Sequence, residues 1–426
     1  MLARPPLHRR SDVRVESAGA AARAFGAVAF LALAIAACVG PAQRGPLPQR
    51  FAATASAPAD PEARTRLALR APLVEALFAD ALREGAWPGL AVGIVSRDGL
   101  VWARGFGVAD LDTKEPVTAD TVFRVGSITK TLTGLALLEL RDLGKLTLDD
   151  PVERTLPEFA GLVYPTRDSP KITIRNLVTH SSGLSRDGAL PGLRANGHIP
   201  VVAQLLATLD GQRLEFPPGA GYAYSNQAAA FVGVIVERVS GVPFAEYVRA
   251  SLLAPLGMAS SAFEPRPGWG TRLATGYVRT GDAWKREELT PPGATAATGH
   301  LYTTVTDLAR YMAFEIDAWP PRDDPETGPV RRSTVRESQL VAGMQPPKPS
   351  ADGVYWVTEA RPDVGLVVSH GGTIDGFHAG VRFAPQAGVG IVALSNARVP
   401  AGFDVALERA LDLVVNGRPD LDAGDE

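Results

Sequence analysis

Cysteine is almost absent: the 426 residues contain one, Cys38. A single cysteine excludes a disulfide framework within the chain and a thiolate metal cluster. Histidine is sparse too. The six (His8, His180, His198, His300, His370, His378) show no HExxH or similar spacing, so no metal ligand set is expected. Charge of one sign is not in excess: 43 Lys and Arg face 46 Asp and Glu, a formal net charge of −3. With no basic stripe, nucleic acid is not an expected partner. Lysine supplies only six of the basic residues, a bias read as GC-rich coding and not as function. What the chain has is length and 46% hydrophobic content, enough to bury a large core in one large or two ordinary domains.

The first residues read as an address. Arg4, Arg9, Arg10, Arg14 and Arg23 precede an apolar run from Ala24 to Ala37. A run of about 14 residues is short of the roughly 20 that cross a bilayer, but suits a signal-peptide core. It ends Ile35-Ala36-Ala37-Cys38, which resembles the bacterial lipobox. Residues 1–37 are therefore expected to be a lipoprotein signal peptide, with Cys38 lipidated and 38–65 a Pro- and Ala-rich tether. The alternative is an ordinary signal peptide whose cleavage region contains a cysteine. Either reading predicts export to the bacterial envelope or beyond, and the first adds a membrane anchor.

The remainder, 66–416, reads as one α/β (α+β) domain, with 417–426 as a disordered acidic tail. Helical spacing runs from Leu73 to Glu84. Two strand-like runs follow, Leu90–Arg97 and Leu100–Gly107, separated by the hairpin signal Asp98-Gly99. From Ser127 to about Gly270 the pattern is mainly helical, and Val305–Ile316 is helical as well. Strands return at Val354–Glu359, Gly365–Ser369, His378–Phe383 and Val389–Leu394, before a last helix over Phe403–Val415. A lone two-stranded hairpin is marginal in water. The N-terminal hairpin is therefore predicted to pair with the C-terminal strands in one antiparallel sheet built from both chain ends. The helical middle then forms a subdomain, and the junction is a natural cleft. Trp319–Arg332 and Gln345–Asp352 read as exposed Pro-rich loops.

Three segments carry candidate chemistry. Ser127-Ile128-Thr129-Lys130 opens a helix that is apolar on most sides, which predicts burial. Residues three apart share a helix face, so the Ser127 hydroxyl and Lys130 amine can meet. A serine needs a base to become nucleophilic, and a lysine serves if burial lowers its pKa. Ser-x-x-Lys alone arises about once or twice by chance in such a chain. Its ordinary reading is an N-cap serine beside a solvated lysine.

Tyr222-Ala223-Tyr224-Ser225-Asn226 precedes the helix from Ala228. Positions two apart in extended chain project to one side, so Tyr224 and Asn226 can both face a cleft. A phenol beside a lysine can shuttle protons, and an amide can orient a substrate carbonyl. The ordinary reading is a buried tyrosine bonded to backbone, with Asn226 as a helix cap. His370-Gly371-Gly372-Thr373 follows a strand. Its glycines permit close backbone approach, and the Thr373 amide can join that of Ser127 as an oxyanion hole. The ordinary reading is a glycine turn with an incidental histidine.

Ser-x-x-Lys, then Tyr-x-Asn, then a strand-borne basic residue-x-Gly, in this order, resembles the serine β-lactamase and penicillin-binding-protein superfamily. The likeness is nearest to its class C β-lactamase, esterase and D-alanyl-D-alanine carboxypeptidase branch. Supporting segments are Phe123-Arg124-Val125-Gly126, Asn176–Leu184 and Val392–Asn396, and the likeness spans about Leu73 to Val415. The resemblance implies a β-lactamase/transpeptidase-like fold and an acyl-enzyme on Ser127. It assigns proton transfer to Lys130 and Tyr224, and substrate positioning to Asn226. The third motif, with His370 and Gly372, lines the site, and the Ser127 and Thr373 amides hold the oxyanion. It makes His180 a structural loop residue and implies no metal or cofactor.

One departure matters. Typical β-lactamases carry Lys-Thr-Gly or Lys-Ser-Gly where this chain has His370-Gly371-Gly372. An ordinary imidazole is mostly neutral at pH 7 and offers little fixed charge to a carboxylate. The expected activity is therefore that of an esterase or D-amino-acid peptidase. A β-lactamase is one alternative, and a non-catalytic envelope protein that binds peptidoglycan peptides is another. His300, in Thr298-Gly299-His300, stands where similar proteins more often have paired glycines; the sequence assigns it no role.

Overall fold

A computed structural model describes residues 61–85, 87–188, 201–340, 342–344 and 351–417. The expected signal peptide, the lipidation site Cys38 and the tether to residue 60 lie outside the described residues, as does the acidic tail from 418.

The domain is built on an eight-stranded antiparallel sheet. Its strands are β1 (Gly89–Ser96), β2 (Gly99–Gly107), β7 (Gly343–Met344), β8 (Ala351–Asp352), β9 (Val357–Arg361), β10 (Gly365–Ile374), β11 (Phe377–Ala384) and β12 (Val389–Ser395). Four short strands lie outside it: β3 (Phe123–Arg124) pairs β6 (Tyr302–Thr303), and β4 (Tyr277–Thr280) pairs β5 (Ala283–Arg286). The order in the large sheet is β2-β1-β12-β11-β10-β9-β8-β7. The hairpin from the chain start thus joins the last strand, with Val92 opposite Ala393 and Ile94 opposite Ile391.

Both faces of the sheet are covered, which is why β1 reads as a continuous apolar run, buried at every position. Helices α1 (Pro61–Gly85) and α5 (Phe403–Asn416) cover one face, where Val74, Phe78, Leu411 and Val414 meet Val92, Ile391 and Ala393. Helix α4 (Val305–Asp317) covers the other with Leu308, Tyr311 and Met312. Helices α2 (Thr129–Asp142) and α3 (Asn226–Ser240) lie in the helical part of the chain, almost wholly buried. Each ends at a glycine in the left-handed region, Gly144 (φ 70°) and Gly241 (φ 71°), a conformation that favours a residue without Cβ.

Three local expectations shift. The hairpin turn is Arg97-Asp98, with Ser96 paired to Gly99, one residue earlier than Asp98-Gly99. Gly99 takes φ 114° directly after the turn, so the glycine serves the turn's exit and not its centre. The strand expected at Val354–Glu359 forms at Val357–Arg361, because Val354 to Trp356 turn inward as buried core. Ala351–Asp352 is a buried strand of the sheet and not exposed loop.

Candidate active site

The site begins where the sheet stops pairing. β9 pairs with β10 only as far as Ser369, while β11 continues along β10 to Ile374. The free edge from His370 onward receives the segment Val125-Gly126-Ser127. Two glycines make the approach possible. A methyl at Gly372 would lie 2.0 Å from the Val125 carbonyl oxygen and 2.7 Å from the Ser127 nitrogen. A methyl at Gly126, whose φ is 52°, would lie 2.5 Å from the Thr373 nitrogen. The backbones at Ser127 and Thr373 are thereby brought against each other, the closeness that a shared oxyanion hole would use.

Ser127 sits in a single 3-10 turn (Gly126–Ile128) leading into α2 and makes no side-chain cap. Lys130, in the first turn of α2, is 0% exposed. Both facts are contrary to the cap-and-solvated-lysine alternative. The Lys130 ammonium donates to Ser127 Oγ at 3.0 Å, Asn226 Oδ1 at 2.7 Å and the Thr298 carbonyl at 2.6 Å. Burial disfavours its charge, the positive field of Arg186 adds to this, and Asp187 opposes it. Its pKa is pushed down to about 7.

Tyr224 stands over the same point, its ring centroid 5.0 Å from Lys130 Nζ. Burial raises its pKa to about 12, with the Ser127 hydroxyl and Arg186 working the other way. The phenol is therefore protonated near neutrality. Helix α3 is capped by Ser225, whose Oγ accepts from Ala228 N at 2.9 Å. That cap leaves the Asn226 side chain free, so the capping alternative for Asn226 falls away. Its Nδ2 donates to Asp187 Oδ1 at 2.7 Å, while its Oδ1 accepts from Lys130. Two partners of opposite kind settle the amide's orientation.

His180 lies under this cluster. Its ring centroid is 4.4 Å from that of Tyr224, and its Nδ1 accepts from the Ser225 amide at 3.1 Å. Burial first, then the nearby cations, hold its pKa well below the ordinary value. It supports the Tyr224 loop, and its partners do not include Ser127. His370 is buried at the β10 edge, and its Nδ1–H donates to the Gly371 carbonyl at 2.6 Å. Burial and the Lys130 charge lower its pKa to about 4, so the third motif carries a neutral imidazole. Thr373 Oγ1 is paired with His378 Nδ1 at 2.7 Å, which holds the threonine against β11.

His300 belongs to the support beneath the site. Arg124 is fully buried and ion-paired with Asp375. A guanidinium only donates, so His300 Nδ1 accepts from it, and His300 Nε2–H donates to Thr295 Oγ1 at 3.1 Å. The neutral imidazole gives the buried guanidinium one more acceptor and holds the 295–300 segment, which carries the Thr298 carbonyl.

Ser127, Lys130, Tyr224, Asn226, His370, Gly372 and Thr373, expected from the sequence to share one site, are brought to one place by the fold. The Thr298 carbonyl, Arg186 and Asp187 join them without having been expected there. A backbone carbonyl carries no residue signal. The Arg186-Asp187 pair gains its place only when its loop folds back onto the start of α3.

The chain is similar to several known proteins. Protein flp of Staphylococcus aureus is 26% identical over 325 residues, 76% of this chain and 62% of the relative. Esterase EstB of Burkholderia gladioli is 37% identical over 203 residues, 45% of this chain and 50% of the relative. The chain thus spans less than two thirds of the length of these relatives. An octameric penicillin-binding protein homologue from Pyrococcus abyssi superposes with a TM-score of 0.68 at 25% identity, covering 81% of this chain and 77% of the other. The Beta-lactamase family model matches residues 74–416, which contain every site residue above, and the chain belongs to that family.

Proposed function

We propose that this chain is a serine hydrolase that cleaves an ester or amide through an acyl-enzyme on Ser127. The observation that carries the reading is the setting of Lys130: fully buried, bonded to Ser127, with a pKa near 7. A neutral lysine has two N–H donors and one lone pair. The Asn226 amide oxygen and the Thr298 carbonyl only accept, so they take the two hydrogens. The lone pair is left for the Ser127 hydroxyl proton.

Chemistry follows from that arrangement. Ser127 Oγ attacks the carbonyl carbon as its proton passes to Lys130. The carbonyl oxygen takes up negative charge against the Ser127 and Thr373 amides. The C–X bond breaks as the protonated Tyr224 gives its proton to the leaving atom, and the Lys130 proton restores the phenol. Water then attacks the acyl carbon and gives its proton to neutral Lys130; the C–Oγ bond breaks, the acid departs and Lys130 returns the proton to Ser127 Oγ.

A neutral His370 and the bare Gly371 leave the first two positions of the third motif without a fixed cation or hydroxyl for a carboxylate. This favours esterase or D-amino-acid peptidase activity over efficient β-lactam hydrolysis. Esterase EstB, similar over about half its length, supports the ester reading. Activity against p-nitrophenyl esters, D-alanyl peptides and nitrocefin, with Ser127→Ala as control, tests this. Turnover of an ester or D-alanyl peptide that Ser127→Ala loses is the expected result. Rapid nitrocefin turnover would reverse the substrate preference. Export and lipidation at Cys38 belong to the same proposal, supported by the Arg-rich start and the apolar run. Loss of palmitate labelling in Cys38→Ser tests them.

A further inference from the structure

We propose that Arg186 is the specificity-determining cation of this site, binding a carboxylate on the leaving-group side of an open-chain ester or amide. The proposal rests on the serine-hydrolase reading, in which Tyr224 protonates the leaving atom. The Arg186 guanidinium lies 5.2 Å from the centroid of the Tyr224 ring. A carboxylate one or two bonds beyond the leaving atom would meet it first.

The arginine is held for this task. Its own carbonyl accepts from the backbone amides of Asn226 at 2.7 Å and Gln227 at 3.2 Å. The preceding Ser185 carbonyl accepts from Ser225 Oγ at 2.8 Å. The loop is therefore stapled to the first turn of α3, and the side chain rests on an aromatic face.

Its charge is open. The side chain is 69% exposed, and its nearest acid is Asp187, at 3.8 Å from Nε. That contact is too long for a hydrogen bond, and the other Asp187 oxygen is taken by Asn226. Among the described residues, no acceptor takes the guanidinium hydrogens. A planar guanidinium with a free edge is matched to a carboxylate in bidentate geometry.

Other cations are unsuited. Lys130 is sealed in and engaged by three acceptors, and His370 on β10 is a neutral, buried imidazole. Asp187 weakens the field of Arg186 without blocking its edge, so the preference it sets is moderate.

The test uses two thioesters of one acyl group, with mercaptoacetate as the anionic leaving group and mercaptoacetamide as the neutral one. Thiol release gives kcat/KM for each, and the quantity read is the anionic-to-neutral ratio. That ratio cancels any effect of Arg186 on Lys130, which both substrates share. In Arg186→Ala it is expected to fall about 10- to 100-fold, mostly through KM for the anionic thioester. Arg186→Glu should lower it further, and Arg186→Lys should retain most of it. In the unaltered protein, raising salt from 0.05 to 0.5 M should shrink the ratio, a readout independent of any variant's folding. A ratio indifferent to salt and to all three substitutions overturns the assignment while the hydrolase reading stands. If the unaltered protein cleaves neither thioester, both readings fall.

Discussion

The Lys130 ammonium lies 2.7 Å from Asn226 Oδ1, and among the described residues no carboxylate forms an ion pair with it. A buried cation that is solvated only by neutral oxygens is poised to lose its proton. The same setting makes it reactive and makes it a burden on the fold, and both consequences are measurable.

The pH dependence of kcat/KM should show one acid limb near pH 7, where Lys130 becomes neutral and able to accept the Ser127 proton. Tyr224, at about 12, and His370, at about 4, keep one form between pH 5 and 10, so no second limb is expected there. Arg186→Ala removes a neighbouring positive charge and should move the limb upward. Asp187→Asn should move it downward. A pH–rate series on a p-nitrophenyl ester checks all three.

Stability should carry the matching signature. Below pH 7 both folded and unfolded chains hold the Lys130 proton, and folding bears the full cost of burying the charge. Between about 7 and 10.5 the unfolded chain keeps a proton that the folded chain has lost. Folded stability from this group therefore rises with pH, by about 1.4 kcal/mol per unit. Lys130→Met lacks this dependence. Urea unfolding at pH 7, 8 and 9 should show the unaltered protein gaining on the variant at each step.

Gly372→Ala puts a methyl 2.0 Å from the Val125 carbonyl oxygen and 2.7 Å from the Ser127 nitrogen. The two edges must separate, and the Ser127 and Thr373 amides lose their spacing. The expected loss in kcat is about 100- to 1000-fold, the size seen when an oxyanion donor is removed. Steady-state kinetics on the same ester measures it.

Beneath the site, Asp375→Ala strands the fully buried Arg124 guanidinium. Thr290, which donates to Asp375 through both its amide (2.7 Å) and its hydroxyl (2.6 Å), loses its partner as well. Removing one member of a buried pair typically costs about 3–5 kcal/mol. Urea unfolding at pH 7 should show a loss of that size.

Much of this was legible in the sequence because short patterns carried it. Ser127 and Lys130 share a helix face by spacing alone. Asn226 could be taken from the sequence as the cap of α3, and only the Ala228 amide, donating to Ser225 Oγ, shows that Ser225 fills that role. The sheet from both chain ends followed from a hairpin that could not stand alone. The hairpin's turn was misplaced by one residue, because Gly99 supports either register and cross-strand pairing decides. Arg186 and Asp187 were illegible. Nothing near them in the chain marks chemistry, and their place depends on a loop returning to residues about 40 positions later. His300 was noticed without a role, since its role lies in contact with Arg124, which is far away in sequence.

The most direct test of the central claim is intact-protein and peptide mass spectrometry after brief exposure to a fluorophosphonate or a slow ester, at pH 6 and pH 8. One covalent adduct is expected, on the peptide bearing residue 127, forming faster at pH 8 and absent in Ser127→Ala. A folded protein that gains no adduct, or gains it on another residue, would contradict it.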